Sequence, residues 1–190
     1  MAATESQMLE LGTSAPEFVL PDPDGVMHSL GESGLAYLVM FICNHCPFVV
    51  HVRQELTRLG HDYAPQGVTI VAINSNDVIT HPADSPGKMK EEAISNDYVF
   101  PYLFDENQSV AKAFRAACTP DFFLFDAQKK LVYRGQLDSS RPANNEPVTG
   151  SDIRMALDAI LNNKKVQVDQ KPSIGCNIKW RADNEPNYFR

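Results

Sequence analysis

Nine consecutive apolar residues, Leu35 to Cys43, run straight into Cys43-Asn44-His45-Cys46 and then Pro47. A run this short falls well below the roughly 20 residues needed to cross a bilayer as a helix. Its unbroken apolar character fits a strand buried on both faces. Beyond Pro47, Val49, Val52, Leu56, Leu59 and Tyr63 recur at spacings of 3, 4, 3 and 4, with Arg53, Gln54, Glu55 and Arg58 between them. That period predicts an amphipathic helix beginning near Cys46. Val68 to Ile73 reads as a second buried strand. Two cysteines with two residues between them therefore sit where a buried strand hands over to a helix.

The rest of the chain supports one α/β domain, 1–190, with a core over about 12–162 and a C-terminal extension over 163–190. Ala15 to Leu30 places apolar stretches around Pro21-Asp22-Pro23-Asp24-Gly25 and predicts an N-terminal β-hairpin. Further helices are expected over Gly87–Asp97, Ser109–Ala116 and from Ile153, the last with Thr149 and Asp152 as a capping box. Phe122 to Phe125 and Leu131 to Gln136 predict a second hairpin. The order implies a central mixed β-sheet flanked by helices. Tyr98, Phe100, Tyr102 and Phe104 alternate as in a half-buried strand, a pattern a substrate groove would share.

With 17 Lys+Arg against 24 Asp+Glu, the net charge is −7, and no run exceeds two adjacent basic residues. This disfavours nucleic acid and anionic membrane as partners. Met1 to Phe18 has no basic start leading into a long apolar stretch, so a cytoplasmic setting is expected. Four unevenly spaced cysteines do not make a disulfide scaffold. Catalysis or metal binding suits them better.

At a helix N-terminus, unpaired N–H groups and the helix dipole favour an anion, so the Cys43 thiol is expected to ionise readily. A CxxC so placed can cycle between dithiol and disulfide, with Cys43 attacking and Cys46 resolving. His45, before the second cysteine, would stabilise the thiolate when protonated. The alternative is half of a zinc or copper site, though no second close cysteine pair completes it. Cys118 reads equally as a buried small hydrophobe or an auxiliary thiol. Cys176 lies in a tail with polar neighbours, unlike a core position, where it could resolve or store a disulfide. His51 is expected on the solvent side of the first helix, His81 in a loop, and Asp121 and Arg134 on the surface or in turns.

Cys118-Thr119-Pro120 just before the predicted strand Phe122–Phe125, together with the strand–CxxC–helix unit, resembles the thioredoxin-like superfamily. The resemblance implies that Pro120 is a cis-proline packed against the CxxC and that Thr119 offers backbone hydrogen bonds to an extended substrate. APEFVLPDPDG further resembles the branch holding alkyl hydroperoxide reductase/thiol-specific antioxidant proteins and cytochrome-maturation thioredoxins. NHCPFV, ACTPDFFLFD, YRGQLDSSRP and KPSIGCNIKW are similar to a group of bacterial thioredoxin-like proteins. The resemblance implies a thiol–disulfide oxidoreductase acting on protein disulfides or dithiols, with a recycling reductant and no cofactor. It leaves oligomeric state open.

The chain departs from thioredoxin at several places. Ile42 stands where thioredoxin has Trp, Asn44-His45 replace Gly-Pro, and Tyr37 falls at the position of its buried aspartate, leaving the acceptor for the Cys46 proton unidentified. A peroxiredoxin would carry Pro seven and Thr three residues before its peroxidatic cysteine. Ala36 and Met40 stand there relative to Cys43, and Val39 and Cys43 relative to Cys46, so peroxidase chemistry is an alternative without its usual activating residues.

Overall fold

β4, Ala36–Phe41, is the strand on which the sheet is built. All six of its residues are buried, as its apolar run requires. The computed structural model describes residues 3–189. In chain order these form β1 (Ala3–Glu5), β2 (Leu20–Pro21), β3 (Met27–His28), β4, α1 (Pro47–Tyr63), β5 (Val68–Asn74), α2 (Pro86–Ser95), β6 (Tyr102–Phe104), α3 (Ser109–Phe114), β7 (Cys118–Thr119), β8 (Asp121–Asp126), β9 (Leu131–Gly135), α4 (Ser151–Leu161) and β10 (Ile174–Asn177).

The main sheet has the order β6-β5-β4-β8-β9, with β6, β5 and β4 parallel and β8 and β9 antiparallel. The predicted mixed sheet is thus the one observed. Because successive side chains of a strand take opposite faces, β4 divides the core. Ala36, Leu38, Met40 and Ile42 face a cluster with α1 and α4 that includes Cys43, Cys46 and Cys176. Tyr37, Val39 and Phe41 face a second cluster with α3, the N-terminal hairpin residues Phe18 and Leu20, and Trp180.

α1 follows the predicted spacing: Val49, Val52, Leu56, Leu59 and Tyr63 are all buried. Each such aliphatic side chain contributes roughly 1.5–3 kcal/mol, an upper estimate for the unfolded reference. Arg154 of α4 ties the outer face down, with Nε 2.6 Å from Glu55 Oε1 and Nη1 2.8 Å from Asp62 Oδ2. The Asp22 carboxylate accepts the N–H groups of Asp24 and Val26 at 2.9 and 3.0 Å and closes the turn between β2 and β3.

Several expectations are corrected. The capping box at α4 does not form: Gly150 is the N-cap in the left-handed region, φ 65°, and Asp152 instead accepts from Gln136 at 2.8 Å. Only Tyr102–Phe104 of the aromatic stretch is a strand, and all three of its residues are buried, so the alternation there is not a wet-and-dry pattern. The tail is no loose extension. β10 lies between β1 and β7 in a second, three-stranded sheet, and Ile178 and Trp180 enter the second core cluster.

Asp121 and Arg134, expected at the surface, are both fully buried. Asp121 begins β8 and Arg134 sits on β9, the edge strand paired with it. The Arg134 guanidinium lies 5.5 Å from the Phe123 ring centre. Burial pushes the Asp121 carboxyl up to about 7, against the opposing pull of Arg134. Between the ordinary value of 3.8 and about 7, the folded chain therefore holds a proton that the unfolded chain has released. Stability from this group falls as pH rises through that window, by at most about 1.4 kcal/mol per pH unit. Urea unfolding of wild type and Asp121→Asn across the window should show the wild type losing ground to the variant, and the difference levelling off above about pH 7. A pH-independent difference would mean that Asp121 titrates like an exposed carboxyl.

Candidate active site

The CxxC turn lies between the end of β4 and the start of α1. Cys46 is the N-cap of α1, with Pro47 at the first helical position, where its missing N–H costs nothing. Cys43 is 2% exposed and Cys46 is fully buried. All four cysteines are thiols. Across from them, β7 ends at Thr119, and the Thr119–Pro120 peptide bond is cis. Thr119 touches both sulfurs: its Oγ1 is 3.4 Å from Cys43 Sγ, and its carbonyl oxygen accepts from Cys46 Sγ at 3.1 Å.

The two thiols titrate as a pair. Cys43 is pushed up, first by donating toward Cys46, then by burial and by the Asp84 carboxylate. Cys46 is pulled down, first by accepting from Cys43, with Cys176 and Thr119 acting the same way against the cost of burial. The shifts therefore run opposite to the expectation for Cys43: its thiol is pushed up and that of Cys46 is pulled down. The reason is geometric: Cys46 occupies the cap position at the helix start and has more than one donor around it. Thr119 O, which can only accept, takes the Cys46 S–H.

Asp84 is the site residue that sequence reasoning missed. It is fully buried in the segment before α2, 40 residues beyond the CxxC turn. Its carboxylate accepts from Asn44 N–H at 2.9 Å and Asn76 Nδ2 at 2.8 Å, and it lies 2.7 Å from His45 Nδ1. His81 stacks on His45 with ring centres 5.2 Å apart. Burial pushes the His81 imidazole down, with the neighbouring His45 acting in the same direction. Tyr102 donates to Asn44 Oδ1 at 3.0 Å, fixing the other side of the turn. No local pattern around Asp84 announces it; only the packing of residues 74–84 under the turn brings it there.

The other candidates divide. Cys176 is 3% exposed, on β10 directly opposite Thr119, so the tail thiol is a core residue beside the pair. The strand edge that Thr119 was expected to offer a substrate is engaged by β10 itself. Cys118 is fully buried and pushed up by burial and by Asp121, with its Sγ 3.5 Å from Pro120 O. Strand alternation turns it from the face that Thr119 shares with the CxxC. His51 is half-buried rather than free on the solvent side, with Nε2 2.7 Å from Ser140 Oγ. Tyr37 faces the second cluster and accepts from Gly34 N–H at 3.0 Å, so it cannot replace the acid of thioredoxin at the thiols.

Cys43 Sγ, a His45 ring nitrogen and an Asp84 carboxylate oxygen all lie within 4.8 Å of one another. This donor set could hold a metal ion with sulfur, nitrogen and oxygen ligands. Among the described residues, no helix is long and apolar enough to cross a membrane.

A five-stranded mixed sheet, a buried CxxC at the start of the helix that follows its central strand, and a cis-proline facing the two thiols define a thioredoxin-like protein. Residues 11–134 match the AhpC/TSA family, and the chain belongs to it. It is 27% identical over 131 residues to thiol-disulfide oxidoreductase ResA of Geobacillus thermodenitrificans, covering 67% of this chain and 70% of that protein. Among solved structures it resembles an uncharacterized conserved protein of Geobacillus kaustophilus, with 57% identity, a TM-score of 0.93 and coverage of 96% and 98% of the two chains. A thioredoxin-family thiol:disulfide interchange protein of Chlorobium tepidum shares the fold at 19% identity, with a TM-score of 0.61 over 81% of this chain and 99% of that one.

Asp84→Asn should move the pH midpoint of Cys43 alkylation down, because the carboxylate charge raises it. Iodoacetamide rates followed by peptide mass mapping read that midpoint. An unmoved value would separate Asp84 from the thiol chemistry.

Proposed function

We propose that this chain is a thiol–disulfide oxidoreductase that exchanges disulfides with protein substrates through Cys43 and Cys46. The observation that carries the reading is the pair of thiols at the turn into α1, both in contact with Thr119 beside the cis-proline. The Cys43 proton passes to Cys46, whose S–H then donates to Thr119 O. The Cys43 thiolate attacks one sulfur of a substrate disulfide, and the other sulfur leaves as a thiolate and takes up a proton. Cys46 then attacks Cys43 Sγ, releasing the second substrate thiol and leaving a Cys43–Cys46 disulfide. The substrate has gained two electrons, which a recycling dithiol reductant returns to the protein. The same steps run in reverse oxidise a substrate dithiol.

This assignment also gives Cys46 the acceptor role that no aspartate fills. Cys46, whose thiol is pulled down in the pair, is the base for Cys43. His45 is placed to offset charge on the sulfurs when protonated, although the neighbouring Asp84 carboxylate opposes it. We place the protein in the cytoplasm, in keeping with four cysteines that do not form a scaffold; cell fractionation checks this. A second reading, metal binding, is favoured by the convergence of Cys43, His45 and Asp84. Zinc titration of reduced protein, followed by quantification of bound metal in Asp84→Asn, separates the two.

Cys43→Ser should lower disulfide reduction of a protein substrate such as insulin by at least about 100-fold, since Cys43 is the thiol that begins the proposed exchange. Cys46→Ser should instead accumulate the mixed disulfide at Cys43, visible as a covalent adduct. Retained turnover in the first variant, or the absence of an adduct in the second, would reassign the nucleophile. His45→Ala should make the reduction potential of the pair more negative in glutathione buffers, because the reduced, charged form loses a stabilising partner. An unchanged potential would remove His45 from the redox chemistry.

A further inference from the structure

β10 occupies the site in the manner of an extended substrate. Ile178 donates its backbone N–H to Ala117 O at 3.2 Å. In an antiparallel ladder the hydrogen-bonded pairing repeats two residues along, and Thr119 and Cys176 are partners in that register. The two residues therefore exchange both backbone hydrogen bonds, and Thr119 has no free main-chain group on that edge. Gly175 makes the close approach possible: a Cβ there would lie 2.0 Å from Thr119 O. On its other edge β10 is backed by β1, with Ala3 opposite Cys176.

Residues directly opposite in an antiparallel ladder project on one face, so Cys176 stands on the same side as the Thr119 side chain. That side is where Thr119 meets Cys43 and Cys46. The three cysteines belong to one core cluster. Cys46 Sγ meets Thr119 O from the start of α1, and α1 packs against β10. Cys176 in return is pushed up to about 12 by burial and then by the Cys46 sulfur.

We infer that Cys176 is a third redox thiol, presented on a built-in substrate-like strand, and that it takes the disulfide over from Cys43 by exchange at Cys46. This rests on the oxidoreductase reading above and deepens it. In the exchange, Cys176 gives up its proton and its sulfur attacks Cys46 Sγ in the Cys43–Cys46 disulfide. The Cys46–Cys176 bond forms, the Cys43–Cys46 bond breaks, and Cys43 leaves with the electron pair and takes up the proton. One disulfide and one thiol are present before and after, so no oxidant is consumed. The product holds an oxidised pair while Cys43 is again a free thiol, and Cys46 can no longer resolve a mixed disulfide formed there. Release of a substrate from Cys43 then needs a thiol of the substrate itself.

The test is oxidation of the full chain with diamide, alkylation of the remaining thiols and mass mapping of the linked peptides. In Cys43→Ser, and in Cys43→Ala as a second variant, Cys46 and Cys176 should both be lost to alkylation and appear as one linked pair. In oxidised wild type, the free thiol of the three should be partly Cys43 and partly Cys176. If wild type forms Cys43–Cys46 with Cys176 always alkylated, while both variants keep Cys46 and Cys176 free, the relay is overturned and the oxidoreductase reading stands. If wild type forms neither bond, both readings are overturned.

Discussion

The ladder between β7 and β10 is the interaction on which the rest of the site depends. It joins a two-residue strand at the cis-proline to the C-terminal segment, and β1 closes the other edge, so both ends of the described chain are sewn against the catalytic turn. Main-chain hydrogen bonds fix the height of Thr119 over the two sulfurs. Gly175 lets the backbones come closer than any side chain would allow. Without this ladder Thr119 could present an open edge to a substrate, as in the general mode of strand addition. With it, the chain fills that edge itself and brings a third sulfur to the pair.

Around this frame the site is dry and polar at once. Asp84, Asn74 and Asn76 are buried together, and their hydrogen bonds hold the loop after β5 beneath the CxxC turn: Asn74 Nδ2 donates to Asp84 O at 2.7 Å, and Asn76 Nδ2 to the Asp84 carboxylate at 2.8 Å. A buried carboxylate is tolerated when it is hydrogen-bonded and paired, and Asn44 N–H and His45 supply those partners. The consequence for chemistry is a contest of charges. Asp84 opposes a thiolate on Cys43, while the hydrogen bonds around Cys46 favour one there.

Much of this was legible in the residues. The apolar run of β4, the 3-4-3-4 spacing of α1 and the Pro-Asp-Gly turn between β2 and β3 each depend on local period or backbone geometry, and each was found where the sequence placed it. The CxxC position followed from the same two elements. Cys176, Asp121 and Arg134 were misplaced because a polar or isolated residue carries no periodic signal. Whether it is buried depends on which strand covers it. Asp84 gave no signal for a related reason: its partners lie 8 to 40 residues away in sequence, and proximity at that range is created by the fold. The capping box at α4 failed because Gly150 could take the left-handed conformation at the helix start.

By itself, then, the sequence determined the strand–CxxC–helix unit and the mixed sheet around it, since these follow from hydrophobic period, turn chemistry and the spacing of two cysteines within one helical turn. Tertiary structure alone decided which way each thiol is shifted, what opposes them and which third sulfur lies beside them. Those are properties of distance, burial and backbone pairing between segments far apart in the chain. β10 is the clearest case: Ile174-Gly175-Cys176-Asn177 has neither the length nor the alternation to declare itself a strand. It becomes one because Thr119 and β1 offer it hydrogen bonds on both edges.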